Sequence, residues 1–296
     1  MKAIRTPEER FENLPDYNFK PNYLEVETGL RLHYLDEGDK NGQVVLLLHG
    51  EPSWCYLYRK MISILANAGF RVIAPDFIGF GKSDKPTEKS DYSYQRHIDW
   101  MKSFLDQLDL TGINLFCQDW GGLIGLRLAT ELDNRFDSIM ASNTALPIGN
   151  VEMPASFLQW LEFSKNSPKF DVGKVVDKGT VTQLSEEVIA AYNAPFPSEE
   201  YKAGARIFPS LVPISSDDPE SVINQAAWGK LMQWKKPFLT VFGDSDPIMR
   251  GAEKFFIQVI PGAKDQPHSI VHAGHFSQED RGEELAEIMV RFVPEN

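Results

Sequence analysis

Asp119 sits in Cys117-Gln118-Asp119-Trp120-Gly121-Gly122, between an apolar run and a helical pattern. That context predicts a sharp strand-to-helix turn that presents its apex side chain as a nucleophile. Asp is already ionised at neutral pH and needs no base to activate it. Attack of a carboxylate on an ester or amide would give a mixed anhydride. Attack on a saturated carbon bearing a leaving group gives an ordinary ester that water can hydrolyse. The predicted substrate therefore presents an electrophilic sp³ carbon, and the predicted intermediate is an alkyl ester of Asp119. Cys117 fills the first small position of the turn and Gly121 the second. Taken alone, the hexapeptide leaves open that Asp119 only caps the following helix, a favoured role for Asp.

Two partners weigh toward chemistry. His275, in Ala273-Gly274-His275-Phe276, follows the last apolar strand, where it can deprotonate the water that cleaves the ester. His272 is its nearest rival but lacks the preceding Gly. Asp246, in Gly243-Asp244-Ser245-Asp246-Pro247, follows the preceding strand and is the preferred acid to orient the imidazole, with Asp244 as the alternative or a simple turn residue. The chain order of nucleophile, acid and histidine matches that of α/β-hydrolases. His49-Gly50-Glu51-Pro52-Ser53-Trp54 follows another apolar strand, which predicts an oxyanion hole from the backbone amides of Glu51 and Trp120.

These residues require a particular frame. Val44–Leu48 is continuously apolar, as expected of a strand buried on both faces of a parallel sheet. Residues 71–75, 114–117, 138–142, 237–242 and 269–271 read alike. Helical patterns over 57–68, 94–108, 123–132 and 282–292 alternate with them. The prediction is an α/β fold with a mostly parallel sheet and helices on both faces. The alternation stops after residue 147, and the stretch that follows lacks a convincing strand. Residues 148–228 are therefore expected to form an inserted helical cap, with 1–147 and 229–296 making the main domain.

Composition narrows the function classes. Of 296 residues, 42% are hydrophobic and 24% charged, an ordinary folded balance. A net charge of −12 opposes binding to nucleic acid or an anionic membrane. The first twenty residues scatter charge rather than holding a signal-like apolar stretch, and no run approaches the roughly 18 apolar residues of a membrane span. A cytoplasmic protein is expected, with a monomer as the default state. Cys55 and Cys117 make neither a disulfide framework nor a metal-ligand pattern.

The segments His49 to Trp54, Ala74-Pro75-Asp76-Phe77-Ile78-Gly79-Phe80-Gly81-Lys82-Ser83-Asp84-Lys85-Pro86, the Asp119 turn, Ala273 to Phe276, Ala194-Pro195-Phe196-Pro197 and Tyr201-Lys202-Ala203-Gly204 together resemble a haloalkane dehalogenase over nearly the whole chain. The resemblance implies an α/β-hydrolase fold, hydrolysis of a small halogenated alkane to a primary alcohol and halide, and no cofactor or metal. It implies a halide held by the Trp120 indole and a second donor. One branch uses an Asn at the position of Glu51, and an ionised Glu can only accept hydrogen bonds. The second donor is therefore assigned to Trp160 of the cap, with a packing role as the alternative. Asn143, where other branches carry the acid, agrees with Asp246 in that role. Short terminal chloro- or bromoalkanes are the expected substrates. An epoxide hydrolase using Tyr192 or Tyr201 is the alternative enzyme. Fluoroacetate dehalogenases carry Arg where Trp120 stands here, and a non-catalytic binding protein would have lost one of the three catalytic residues.

Overall fold

The computed structural model describes residues 1–293. Its centre is an eight-stranded sheet of β2 (Asn22–Glu27), β3 (Leu30–Gly38), β4 (Val44–Leu48), β5 (Arg71–Pro75), β7 (Ile113–Gln118), β8 (Phe136–Ser142), β9 (Phe238–Gly243) and β10 (Ser269–Val271). The spatial order is β10-β9-β8-β7-β4-β5-β3-β2. β3 pairs antiparallel with both its neighbours, and every other pairing is parallel. β1 (Ala3–Ile4) and β6 (Lys85–Pro86) form a separate antiparallel pair. The mostly parallel sheet expected from alternating apolar runs and helices is present.

β2 and β3 were not expected. They lie at the sheet's outer edge, are only partly buried and interleave Glu25, Glu27, Arg31, Asp36 and Glu37 with apolar residues. A search for continuous apolar runs passes over such strands, because burial on one face needs only alternation. β4, β7 and β9, by contrast, are buried at every position.

α1 (Arg59–Asn67) packs on α10 (Ser277–Phe292), while α2 (Tyr94–Gln107), α3 (Trp120–Glu131) and α8 (Pro219–Leu231) form a second group. α4 (Ala155–Asn166), α5 (Val172–Lys178), α6 (Glu186–Asn193) and α7 (Ala203–Leu211) precede α8 between β8 and β9, so this insertion contains no strand. α9 (Glu253–Val259) is short and was not expected. α10 begins five residues before the expected Gly282, with a non-helical kink at Arg281 between its first turn and the amphipathic remainder. Polar caps set several starts: Ser93 accepts from Arg96 N, Asp171 from Lys174 N and Ser185 from Val188 N.

A buried ion pair joins the insertion to the main layers. Glu279 on α10 accepts from both terminal guanidinium nitrogens of Arg59, the Nη2 bond being 3.0 Å, and from the Tyr192 hydroxyl of α6. Lys60 Nζ donates to its carbonyl at 2.6 Å. Burial alone would raise the Glu279 carboxyl, but Arg59 overrides it and holds the group below the usual range. Glu279→Ala should cost about 3–5 kcal/mol, because it strands a buried guanidinium. Urea unfolding should show a correspondingly lower midpoint, and an unchanged midpoint would contradict the assigned role.

Candidate active site

β7 ends at Gln118, and Asp119 turns the chain into α3 with φ 52° and ψ −125°. A positive φ in a residue bearing a Cβ is strained, at a cost of about 1–3 kcal/mol. Neighbours hold it there. Asp119 N donates to Asn143 O at 3.1 Å, and its carbonyl accepts from Gly122 N at 2.8 Å and Thr144 Oγ1 at 2.8 Å. Gly121 lets α3 lie against β4, since a Cβ there would come within 1.9 Å of Leu48 O.

Asp119 occupies the N-cap position of α3, yet its side chain makes no capping bond. Oδ1 instead accepts from Glu51 N at 2.7 Å, and Oδ2 faces His275 Nε2 at 3.4 Å. The Trp120 amide lies in the first helical turn, where helix geometry leaves it without an intrahelical acceptor. The Glu51 loop reaches Asp119 because Gly50 has no side chain: a Cβ would meet Asp119 Cβ at 2.5 Å. His49 fixes that loop, with Nδ1 2.9 Å from Gly50 O and Nε2 accepting from Phe77 N at 3.0 Å.

His275 lies between β10 and α10, its Nδ1 2.8 Å from Asp246 Oδ2. Asp246 also accepts from Asn143 Nδ2 at 2.7 Å, Ile248 N at 2.8 Å and Met249 N at 3.1 Å. Burial would raise this carboxyl, but the His275 charge and these donors pull it down to about 2. The histidine loop is pinned from two sides. His275 N donates to Gly179 O, at the end of α5, at 2.6 Å, and Gln118 Nε2 donates to His275 O at 3.0 Å. The rivals lie elsewhere: Asp244 and His272 are exposed and pair with each other at 3.2 Å.

Asp119, Trp120, Glu51, His275 and Trp160 all line one cavity of about 1140 Å³ between the strand ends and the insertion. That is at or above the roughly 300–1,000 Å³ of ordinary ligand clefts. Trp120 is wedged between Tyr94 and Phe208, at ring distances of 5.1 and 4.7 Å. Trp160 packs against Phe163 and Phe170 at 5.8 and 5.7 Å. Tyr192 and Tyr201 are not in the cavity wall. Of the remaining tryptophans, Trp54, Trp100 and Trp234 are buried away from it, whereas Trp228 contributes to the wall while donating to Leu146 O at 2.8 Å.

Burial, then the charge of Asp119, push the Glu51 carboxyl well above the usual range, against smaller opposing effects of His275 and Trp160. Sequence reading missed Asn143 as a donor to the acid, Thr144 beneath the turn and Gly179 behind the histidine. Short polar side chains and a carbonyl in an insertion carry no pattern that marks such contacts.

Among the described residues, His33, Cys55 and Asp76 are grouped closely enough to suggest metal ligation, their ligand atoms within 4.8 Å. Asp76 already accepts from Cys55 N and Lys82 N and lies 2.7 Å from His33 Nδ1, so the cluster forms a structural network. No helix among the described residues is long and apolar enough to cross a membrane.

Residues 43–282 match the family profile of the alpha/beta hydrolase fold. The chain is 58% identical to a haloalkane dehalogenase of Psychrobacter cryohalolentis, over 100% of this chain and 99% of the relative. It is 51% identical to one of Mycolicibacterium paratuberculosis, over 97% of each. The tetrameric structure of the haloalkane dehalogenase DpaA from Paraglaciecola agarilytica superposes with a TM-score of 0.91, 38% identity and 97% coverage of both chains.

His275 yields a prediction of its own. Burial would lower its pKa, but the charge of Asp246 and hydrogen bonds to Asp119 and Asp246 raise it from 6.5 to about 10. Because the folded value is the higher one, its contribution to stability is fully present below about 6.5 and lost as pH rises through about 10. Proton NMR of the imidazole should show this high midpoint, and Asp119→Asn should move it down. A midpoint that stays put in the variant would mean that Asp119 does not act on the ring.

Proposed function

The chain belongs to the haloalkane dehalogenases, hydrolases of the alpha/beta hydrolase fold, and from that membership we propose how its residues divide the reaction. A carboxylate oxygen of Asp119 attacks the halogen-bearing carbon; the carbon–halogen bond breaks and the halide leaves with the electron pair. Indole N–H groups of Trp120 and Trp160 receive it. Water, deprotonated by His275, then attacks the carboxyl carbon of the ester. The amides of Glu51 and Trp120 stabilise the oxyanion, a contribution of a few kcal/mol per donor. Collapse releases the alcohol and restores Asp119, so each turnover yields one halide and one proton.

The observation that carries this reading is the orientation of Asp119: a carboxylate at a helix start that leaves the helix uncapped and meets Glu51 N and the His275–Asp246 pair instead. The same contacts give the steps their order. While Asp119 is free, it helps hold the proton on His275. Alkylation removes that charge, lowers the proton affinity of the imidazole and frees it to act as base once an ester exists to hydrolyse. Residues 148–228 act as the cap that walls the reaction from bulk water. The epoxide alternative loses support, because a cap tyrosine must reach the substrate and Tyr192 donates to Glu279 instead.

The size of the cavity favours longer chains than the short alkanes expected from sequence. Each methylene buried against its wall is worth about 0.8 kcal/mol, or roughly fourfold. For terminal bromoalkanes, kcat/KM should climb by up to that factor per carbon from bromoethane to bromohexane, and a flat or falling series would refute the reading.

His275→Ala should trap the ester. After incubation with a bromoalkane, intact mass should increase by one alkyl group, located on Asp119, with one equivalent of bromide released. An unmodified protein, or diol formation from epoxides without halide release by the native enzyme, would overturn the mechanism.

A further inference from the structure

Glu51 is used above only through its backbone. The residue is 4% exposed, yet it belongs to the wall of the catalytic cavity. Oε1 is sealed from solvent and has no hydrogen-bond partner. Among the described residues, no Lys or Arg pairs with it, so the charged groups acting on it are Asp119, which carries the nucleophilic charge, and His275. A second anion buried beside Asp119 would meet both a desolvation cost and like-charge repulsion. Carrying its proton removes both costs and leaves a neutral acid with one O–H donor. Trp160 lines the same cavity, so Glu51 shares its wall with the group assigned to the halide.

We propose that the carboxylic O–H of Glu51 is a third hydrogen-bond donor of the leaving-group site, contacting the departing halide alongside Trp120 and Trp160. This rests on the assignment of those two indoles. It gives the unpartnered carboxyl an anion to bind at the one stage when an anion occupies the cavity beside it. It also explains why a Glu is tolerated next to the nucleophile: neutral, it attracts the leaving group, and ionised it would repel it.

Bromide quenching of tryptophan fluorescence at neutral pH, read with halide release, tests the idea. Glu51→Gln keeps the shape and a neutral donor, and should hold the bromide Kd within about threefold of native. Glu51→Leu removes the donor and should raise Kd about tenfold or more, since hydrogen bonds to charged groups are the stronger kind. Thermal melting of both variants reports whether they fold. If Glu51→Leu folds and binds bromide as tightly as native, or if folded Glu51→Gln binds as weakly as Leu, the proposal falls while the dehalogenase reading stands. If the Leu variant does not fold, Glu51→Met, which also lacks a donor, takes its place under the same expectations. Native protein that neither binds nor releases halide would remove the reading beneath it as well.

Discussion

A side chain at the end of a buried strand can reach into a cavity only if the backbone beneath it turns at once, and Asp119 achieves this with a left-handed conformation. Most of what surrounds it follows from that constraint. Gly121 must lack a side chain so that α3 can lie on β4, and Gly50 must lack one so that the Glu51 amide can reach the carboxylate. Asn143 and Thr144, at the end of β8, hold the turn by its amide and carbonyl. Two parallel neighbours of β7 therefore supply the supports, which places the site at the carboxyl end of the sheet where such folds bind ligands.

Around that apex, the surroundings push the proton affinities of carboxyl groups in opposite directions. Asp246 accepts four hydrogen bonds and is held ionised. Glu51, buried beside a like charge with one oxygen unpartnered, is pushed toward its neutral form. Environment separates roles that composition cannot, a pattern common where carboxyl groups share a site.

The same distinction explains what could be read from sequence. Val44–Leu48, the Asp119 turn and the His275 loop were legible because continuous apolar runs and sharp turns leave local signatures. β2 and β3 were not, since half-buried edge strands mix charge with apolar residues. Asp246 could be preferred to Asp244 from its position, but what separates them is three-dimensional: one meets Asn143 and His275, the other His272 at the surface. The proton affinity of Glu51 was hidden from sequence for a similar reason. Ionisation depends on neighbours distant in the chain, Asp119 and His275 among them, and a residue type states only its value in water.

The carbonyl of Gly179 has a wider consequence. It receives the His275 amide at 2.6 Å, so the backbone that carries the imidazole is sewn to the inserted helices. An outward swing of the inserted helices as a rigid body would break this bond and disturb the backbone under His275. A chimera that borrowed another protein's insertion would import new wall residues together with a new seam under the histidine. Changes on α4, remote from that seam, can reshape the chamber while leaving the hydrolytic step in register.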